Sequence, residues 1–278
     1  MTETLPPPDR FRFLFLAGLH RSGTSPLHRA IASHPEVSGF ADTGVPRDEG
    51  QFLQSVYPPA RRFGGPGRFG FRPEAQLTEQ SSLATAEAAQ RLFAEWSQYW
   101  DLSKPVLVEK SPPNLLRSRF LQALFPNSAF VFVTRHPVAV ALATSKWSGT
   151  SLTSLVEHWI RCHRIMIDDQ HHLTRYLTVR YEELIENPQK ALAAITAIVG
   201  LAPRCAPGAI ARAHNERYFA AWRTLRQGRE RVEISVPGGD AKGSTRLALA
   251  MADEIEDIEY RFEDEVRPFG YSFRNAYG

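Results

Sequence analysis

Short apolar runs alternate along the chain with amphipathic stretches, which is the pattern of a parallel sheet flanked by helices. The apolar runs predict strands at 11–18, at 105–110, at 129–135 and at the beginning of 176–184. The amphipathic stretches predict helices at 25–34, 115–125, 138–147 and 189–200. Thr24 or Ser25 is expected to cap the first helix. We therefore expect an α/β fold, a P-loop-like open parallel sheet flanked by helices in a single domain.

Two glycine-rich segments interrupt this alternation. Residues 58–73, "PPARRFGGPGRFGFRP", predict an irregular loop with exposed aromatic and charged side chains. That loop is either a substrate lid or a plain surface loop. Residues 235–246 form a second glycine-rich, basic loop between a helical segment at about 209–227 and an acidic C-terminal helix at about 245–265.

Composition places the chain among ordinary globular proteins. It has 278 residues, of which 43% are hydrophobic and 23% charged, which predicts one sizeable core. The N-terminus "MTETLPPPDR" lacks the basic and apolar regions of a signal peptide, and no apolar run approaches the length of a membrane span. We expect a cytoplasmic protein with no membrane span.

Charge and cysteine content narrow the choice of ligands. Cys162 and Cys205 are too few for a disulfide framework and lack the paired spacing of a zinc site. The net charge of +3 favours an anionic ligand, but it is too small to indicate nucleic acid. His158 and His163 are five residues apart, and no carboxylate motif completes a metal set. We therefore predict neither a metal site nor a nucleic-acid partner.

The stretch "GLHRSGTS", Gly18 to Ser25, is close to the phosphate-binding P-loop pattern G-x-x-x-x-G-K-[ST], but Thr24 stands in the place of the lysine. Glycines between a strand and a helix start form either a nest of backbone N–H groups for a phosphate or a simple tight turn. Arg21 supplies a cation from within the loop. A ligand with one phosphate at that end and a less charged group to transfer needs fewer cations and no metal, and an activated sulfate fits this description.

The longer stretch "LAGLHRSGTSPLHRAIASHPEV" resembles the 5′-phosphosulfate loop of sulfotransferases that use 3′-phosphoadenosine-5′-phosphosulfate (PAPS). Its wording is especially similar to tyrosylprotein sulfotransferases and bacterial relatives. Further segments follow in the family's order at 109–112, 124–137, 179–188 and 241–246. The resemblance implies one sulfotransferase domain over 1–278. It places a donor-binding core at about 11–200 and 236–250, and acceptor-side loops at about 58–82 and 206–235.

The resemblance also implies a donor site. The loop residues expected to bind the 5′-phosphosulfate are His20, Arg21, Ser22, Gly23, Thr24 and Ser25. Arg135 with Pro137 matches the opening of the family's 3′-phosphate signature, in which a serine follows the arginine by eight residues. That position is Ala143 here. Either Thr144 or Ser145 replaces the hydroxyl, and we favour Ser145, or the 3′-phosphate is held less completely.

Two more segments carry candidate donor contacts. The stretch "AKGSTR" resembles the family's late loop over the 3′-phosphate and adenine, although a surface turn is the alternative. Tyr181 stands where the tyrosylprotein enzymes place a donor-contacting tyrosine, and the alternative is core packing. Trp147 and Trp159 either line a pocket or pack between helices. The late-loop residues with a cation, free amides or hydroxyls are Lys242, Gly243, Ser244 and Thr245.

Two carboxylates compete as the general base that takes a proton from the acceptor. Glu49 follows Arg21 by 28 residues, which is similar to the spacing in heparan sulfate N-sulfotransferases, and "EGQFL" resembles their E-x-Q-F-F. Asp42 follows Arg21 by 21 residues, the tyrosylprotein sulfotransferase spacing, although that family has Glu there. We expect Glu49 to be the base and Asp42 to be the alternative, unless both are structural. Lys110 either orients the acceptor or pairs with Glu109.

These expectations amount to an enzyme that transfers a sulfuryl group from PAPS to a hydroxyl or amine acceptor. The alternatives are a P-loop kinase-like enzyme, which the missing lysine disfavours, and a non-catalytic nucleotide-binding protein. The acceptor is expected to be a small molecule, a glycan or a lipid, and its identity lies beyond fold-level analogy. The oligomeric state stays open.

Overall fold

A five-stranded parallel sheet lies at the centre of the computed structural model, which describes residues 5–210, 215–227, 232–234, 245–247 and 251–277. The strands stand in the order β2-β3-β1-β4-β5. In register, Leu14 of β1 lies opposite Val108 of β3 and Ala129 of β4. Parallel strands bring all their carboxyl ends to one edge, where open α/β sheets bind ligands. The bounds are β1 Arg12–Ala17, β2 Val37–Gly39, β3 Val106–Lys110, β4 Ser128–Thr134 and β5 Tyr176–Arg180.

Helices cover both faces of this sheet, and a short antiparallel ribbon joins strand β6, Val232–Ile234, to strand β7, Thr245–Leu247. None of the helices in the described part of the chain has the length and apolar character needed to cross a membrane. The helices are α1 Thr24–Ala32, α2 Ala86–Trp96, α3 Ser118–Leu124, α4 Pro137–Ser148, α5 Leu152–Gln170, α6 Tyr181–Glu186, α7 Pro188–Ile198, α8 Glu216–Arg226 and α9 Met251–Val266.

The three central strands, β1, β3 and β4, are buried on both faces, which explains why they read as continuous apolar runs. On one face, the rings of Phe13 and Phe15 join a large cluster that includes Trp96 of α2. On the other face, Leu14 and Leu16 pack in a second cluster with residues of α1 and α7. These two buried clusters fix the position of the sheet, and therefore also of the edge at which the carboxyl ends of the strands lie.

The four predicted strands are confirmed, and so are the helices that follow them. Strand β2 and helix α2 were not predicted. The helix α1 has Gly23 as its N-cap, so the prediction of Thr24 or Ser25 was wrong. The cause is the left-handed backbone of Gly23, with φ 100°, which turns the chain into the helix one residue earlier.

The predicted limits of the last two helices were also wrong. Helix α8 begins at Glu216, and not at about 209, within the residues that the structure describes. Helix α9 begins at Met251, because residues 245–247 pair with β6 as strand β7. A pairing with a strand more than ten residues away is a tertiary contact, which helical periodicity does not reveal.

Residues 45–75, which we call the turn segment, contain a series of 3-10 turns in place of regular elements. The predicted irregular loop at 58–73 lies within it. Its aromatic side chains are not uniformly exposed as predicted, since Phe69 is fully buried in the core whereas Phe71 is 38% exposed. The turns are Pro46–Asp48, Gly50–Phe52, Ala60–Phe63, Phe69–Phe71 and Pro73–Ala75.

Candidate active site

The loop between β1 and α1 approaches its neighbours so closely that two positions require glycine. A Cβ on Gly18 would lie 2.5 Å from the carbonyl oxygen of Val133, and a Cβ on Gly23 would lie 2.5 Å from the ring of Tyr181. Both glycines have positive φ angles, 152° and 100°. The loop therefore runs tightly over the carboxyl end of β1 into the N-terminus of α1, where backbone N–H groups favour an anion.

A cleft of about 320 Å³ opens at this edge of the sheet. Residues from the loop after β1, the turn segment, the end of β4 and the beginnings of α6 and α8 line it. Several sequence-predicted residues meet there, although they are distant in the chain. They are His20, Arg21, Gly23, Thr24, Ser25, Glu49, Arg135 and Tyr181.

Ser22 and His20 lie in the floor of the loop. The hydroxyl of Ser22 is buried and has no hydrogen-bond partner among the described residues, which is costly unless a ligand or water supplies one. Burial, with smaller contributions from Lys110 and Arg21, lowers the pKa of His20 to about 3. His20 is therefore neutral at physiological pH and adds no charge to the cleft.

Arg21 has a left-handed backbone, with φ 74°, and its guanidinium lies 4.9 Å from the ring centroid of Trp147. Trp147 is 49% exposed and lines the cleft, whereas Trp159 is fully buried and donates to the Arg135 carbonyl, 3.0 Å away. The sequence left pocket lining and helix packing open for both tryptophans, and each of them fits a different alternative. Trp147 is a cleft residue, and Trp159 is a packing residue that supports the end of β4.

Arg135 follows β4 and is 5% exposed. Its Nε donates to Asn215 Oδ1 at 2.8 Å, its Nη1 donates to the Arg21 carbonyl at 2.8 Å, and its guanidinium stacks 4.1 Å from the Tyr181 ring centroid. Its Nη2 is buried without a hydrogen-bond partner among the described residues. Burial lowers the pKa of this guanidinium. A buried cation with an unused donor at a cleft wall is suited to an anionic ligand.

Glu49 is 6% exposed and stands between two 3-10 turns of the turn segment. Its Oε1 lies 3.3 Å from the Nζ of Lys110, and its Oε2 accepts from the side chain of Gln51. Burial raises the pKa of the Glu49 carboxyl, and the ammonium of Lys110 opposes that shift. Lys110 also donates to the Arg47 carbonyl at 2.9 Å. Among the described residues, the carboxylate that pairs with Lys110 is therefore that of Glu49, and not that of Glu109.

The other predicted acid lies elsewhere. Asp42 is exposed, has φ 53° and does not line the cleft. Asp48, directly before Glu49, accepts from the backbone N–H of Thr43 at 2.9 Å and from its hydroxyl at 2.7 Å, which closes a turn over 43–48. Of the two candidate bases, only Glu49 reaches the cleft within the described residues.

Neither of the two candidates for the missing family serine, Thr144 and Ser145, lines the cleft. The hydroxyl of Ser145 donates to the Leu142 carbonyl at 2.9 Å, which is an ordinary contact within helix α4. The Thr144 hydroxyl lines a separate, water-sized cavity beside His158. Lys242, Gly243 and Ser244 lie outside the described residues, and of Thr245 only the backbone in β7 is described.

Three cationic residues that line the cleft, and one amide that contacts Arg135, were not predicted as site residues. Arg29 follows Ser25 by one helical turn, and Arg47 precedes Glu49 by two residues, so both positions carried a local signal. Arg217 and Asn215 come from the start of α8, which only tertiary packing brings to Arg135.

Comparisons with known proteins agree with this geometry. Residues 14–204 match the model of the Sulfotransferase family, and the chain belongs to that family. Protein-tyrosine sulfotransferase 2 of Gallus gallus is 27% identical over 198 residues, which are 68% of this chain and 51% of that protein. The chain thus spans about half the length of this curated relative.

Solved structures of sulfotransferases also resemble the chain. The sulfotransferase domain of an olefin synthase from Synechococcus is 18% identical, with a TM-score of 0.47 and coverage of 97% of this chain and 99% of that one. A sulfotransferase from Alicyclobacillus acidocaldarius is also 18% identical, with a TM-score of 0.47 and coverage of 76% and 90%.

Proposed function

We propose that the protein transfers a sulfuryl group from PAPS to a hydroxyl or amine acceptor and leaves adenosine 3′,5′-bisphosphate. One observation carries this proposal. A single cleft combines a lysine-free phosphate-type loop, a buried arginine with a donor that no described residue uses, and a buried carboxylate in contact with an ammonium. Donor binding would occupy the first two features, and proton transfer from the acceptor would use the third.

The two anion sites fit a donor with phosphates at separate positions. The backbone N–H groups at the start of α1 and the Arg21 guanidinium would hold the 5′-phosphosulfate. The Nη2 of Arg135, which has no partner among the residues that the structure describes, and the stacked ring of Tyr181 would hold the 3′-phosphate end. A nucleoside triphosphate has no 3′-phosphate, so the Arg135 site argues against a kinase.

Glu49 would act as the general base. Its carboxylate takes the proton of the acceptor hydroxyl or amine while the oxygen or nitrogen forms a bond to sulfur. The bond between sulfur and the bridging oxygen of the 5′-phosphate breaks, and its electron pair stays on that oxygen. Arg21 and the loop N–H groups stabilise the negative charge that develops on the leaving phosphate.

The partner of Glu49 decides how well it performs this step. Burial raises the pKa of Glu49 and lowers the pKa of Lys110, and the two groups offset each other by pairing. At neutral pH we expect the carboxylate form of Glu49, desolvated and therefore a stronger base than an exposed glutamate. Asp42 stays the alternative base only if its own backbone moves towards the cleft on binding.

The acceptor would lie against the turn segment, beside Glu49 and Arg47, and would be a small molecule, a glycan or a lipid. We infer that the chain acts as one sulfotransferase domain and that the transfer needs no metal, because Arg21 and backbone N–H groups neutralise the sulfuryl end. Within the described residues, no group of three or more His, Cys, Asp or Glu side chains converges on one point.

Two experiments test the proposal. Calorimetry should detect adenosine 3′,5′-bisphosphate binding and much weaker binding of ATP with magnesium. The protein should then be incubated with sulfur-labelled PAPS and a panel of phenols, glycans and lipids, with products identified by the mass of an added sulfuryl group. Binding without any transfer would favour the non-catalytic alternative, and preferred ATP binding would favour the kinase.

A further inference from the structure

A cluster of buried polar groups lies directly behind Glu49 and has no part in the steps described above. Glu109 and Lys110 are consecutive in strand β3, so their side chains point to opposite faces of the sheet. Lys110 contacts the side chain of Glu49, whereas Glu109 is fully buried and contacts the backbone that follows Glu49. The turn segment therefore crosses the end of β3 with one contact on each face.

The carboxylate of Glu109 accepts hydrogen bonds from three donors. Its Oε1 accepts the backbone N–H of Gly50, at 3.0 Å, and the hydroxyl of Ser111, and its Oε2 accepts the side-chain amide of Asn114. The hydroxyl of Ser111 in turn accepts the backbone N–H of Gln51, at 2.9 Å. The backbone N–H groups of the two residues after Glu49 thus both donate hydrogen bonds to this cluster.

The close approach of Gly50 strengthens this arrangement. A Cβ at that position would lie 2.5 Å from Glu109 Oε1, so a larger residue could not bring its backbone to the carboxylate. On its other side, the carbonyl of Gly50 accepts the indole N–H of Trp96 at 3.0 Å. The peptide groups on both sides of Gly50 are therefore held by buried side chains, and the position of Glu49 follows from theirs.

Filling space does not require a carboxylate here. A buried ionised group lowers stability unless its hydrogen bonds compensate for the lost hydration, and an apolar side chain would fill the same volume without that cost. Burial raises the pKa of Glu109 to about 7. All three partners donate to the carboxylate, so the ionised form is the one that the surroundings satisfy.

We propose that Glu109, with Ser111 and Asn114, is a positioning residue that fixes the Gly50–Gln51 backbone and so holds the Glu49 carboxylate against Lys110 and towards the cleft. This inference rests on the proposed function, because it assigns Glu109 a role in turnover that acts only through Glu49. A misplacement of a reacting group by about 1 Å can lower a rate about 100-fold, so a hydrogen-bonded support of this kind has a measurable effect.

The test is a double-mutant cycle on turnover with four proteins: the parent, Glu49→Gln, Glu109→Gln and the double variant. We expect Glu109→Gln to lower kcat about 10- to 100-fold in the parent and less than about threefold in the Glu49→Gln background. The dissociation constant for adenosine 3′,5′-bisphosphate should stay within about threefold in every variant. Glu79→Gln is the matched control, because Glu79 pairs with Arg119 at the surface.

Equal losses of kcat in both backgrounds, or no loss in either, would overturn the inference. Ser111→Ala provides a second route in case Glu109→Gln does not fold, and it should show the same dependence on Glu49. A readout that needs no acceptor separates this inference from the proposed function: amide hydrogen exchange at Gly50 and Gln51 by NMR should accelerate in Glu109→Gln. Unchanged exchange contradicts the positioning role, whether or not the protein transfers a sulfuryl group. Faster exchange in a protein that transfers no sulfuryl group supports the positioning role, and only the proposed function is then contradicted.

Discussion

Two buried arginines, Arg135 and Arg117, have similar surroundings but contact different parts of the molecule. Both are at most 5% exposed, both stack on a tyrosine ring, and burial lowers the pKa of both guanidinium groups. Neither has a carboxylate within 4.0 Å among the described residues. Arg135 lines the cleft, whereas Arg117, just before helix α3, donates to the carbonyls of Pro58 at 2.9 Å and Ala75 at 3.4 Å.

The difference lies in what satisfies each charge. The contacts of Arg117 are to the two ends of the loop at 58–75, so this arginine anchors the turn segment to the core. Each guanidinium keeps one buried nitrogen without a hydrogen-bond partner among the described residues, Nη2 of Arg135 and Nη1 of Arg117. Burial, a lowered pKa and such a nitrogen are therefore common to both arginines, and only the position of Arg135 at the cleft makes it the candidate for ligand binding.

The largest effect is expected at Glu49, which belongs to the turn segment and lines the cleft. Glu49→Gln should lower kcat about 10²- to 10⁴-fold at saturating PAPS, because a positioned general base contributes a factor of that size. Asp42→Asn should leave kcat nearly unchanged. Steady-state kinetics measures both, with donor binding checked separately. Retention of more than about a tenth of the turnover by Glu49→Gln would remove its role as base.

Arg117→Ala should destabilise the protein without weakening donor binding. The loss of both carbonyl contacts and the cavity left behind should lower the free energy of unfolding by about 3 kcal/mol. Arg164→Ala is the matched control, since Arg164 pairs with Glu265 at the surface and should cost less than about 1 kcal/mol. Denaturant unfolding measures both. A large loss of affinity for adenosine 3′,5′-bisphosphate in Arg117→Ala would mean that the two arginines are not functionally distinct.

Arg21→Ala should lower turnover more than donor affinity. Charge develops on the leaving phosphate during transfer, and an interaction of this kind contributes about 3 kcal/mol, or roughly 100-fold, to the transition state. Measurement of kcat and of the donor KM separates the two effects. An unchanged kcat with a raised donor KM would reduce Arg21 to a ground-state binding residue.

Arg135→Ala should weaken adenosine 3′,5′-bisphosphate binding about 10- to 100-fold, since a charged hydrogen bond contributes about 1.5–3 kcal/mol. AMP lacks the 3′-phosphate, and its affinity should hardly change. Calorimetry with both nucleotides measures the difference. If both affinities fall equally, Arg135 supports the site as Arg117 supports the turn segment, and the comparison between them fails.

Chelation should have the smallest effect. Turnover with PAPS is expected to be unchanged by EDTA, because Arg21 and the backbone N–H groups of the loop neutralise the transferred group in the proposed mechanism. The assay is the same sulfuryl transfer with and without chelator. Loss of activity and its rescue by magnesium would favour a metal-dependent phosphoryl transfer.

The part of the site that lies at the ends of regular strands and helices was predictable from the sequence. The strand, glycine loop and helix at 11–34 are local in the chain, and the motif around Arg135 directly follows a buried strand, so pattern and position agreed. The prediction that missed depends on a distant contact, because strand β7 needed β6 as its partner. The pairing of Lys110 with Glu49 also required the turn segment to cross β3.

By itself, the sequence determined the parallel sheet, the loop without the P-loop lysine, and the P-loop-like α/β fold class. The reason is that hydrophobic periodicity and glycine positions act over a few residues. Only the tertiary structure placed Glu49, and not Asp42, at the cleft, and it alone showed Arg217, Asn215 and the cluster around Glu109. Those choices depend on which buried donors and acceptors find partners across the sheet edge. Hydrogen-bond partners that are 60 residues apart in the chain leave no periodic trace in the sequence.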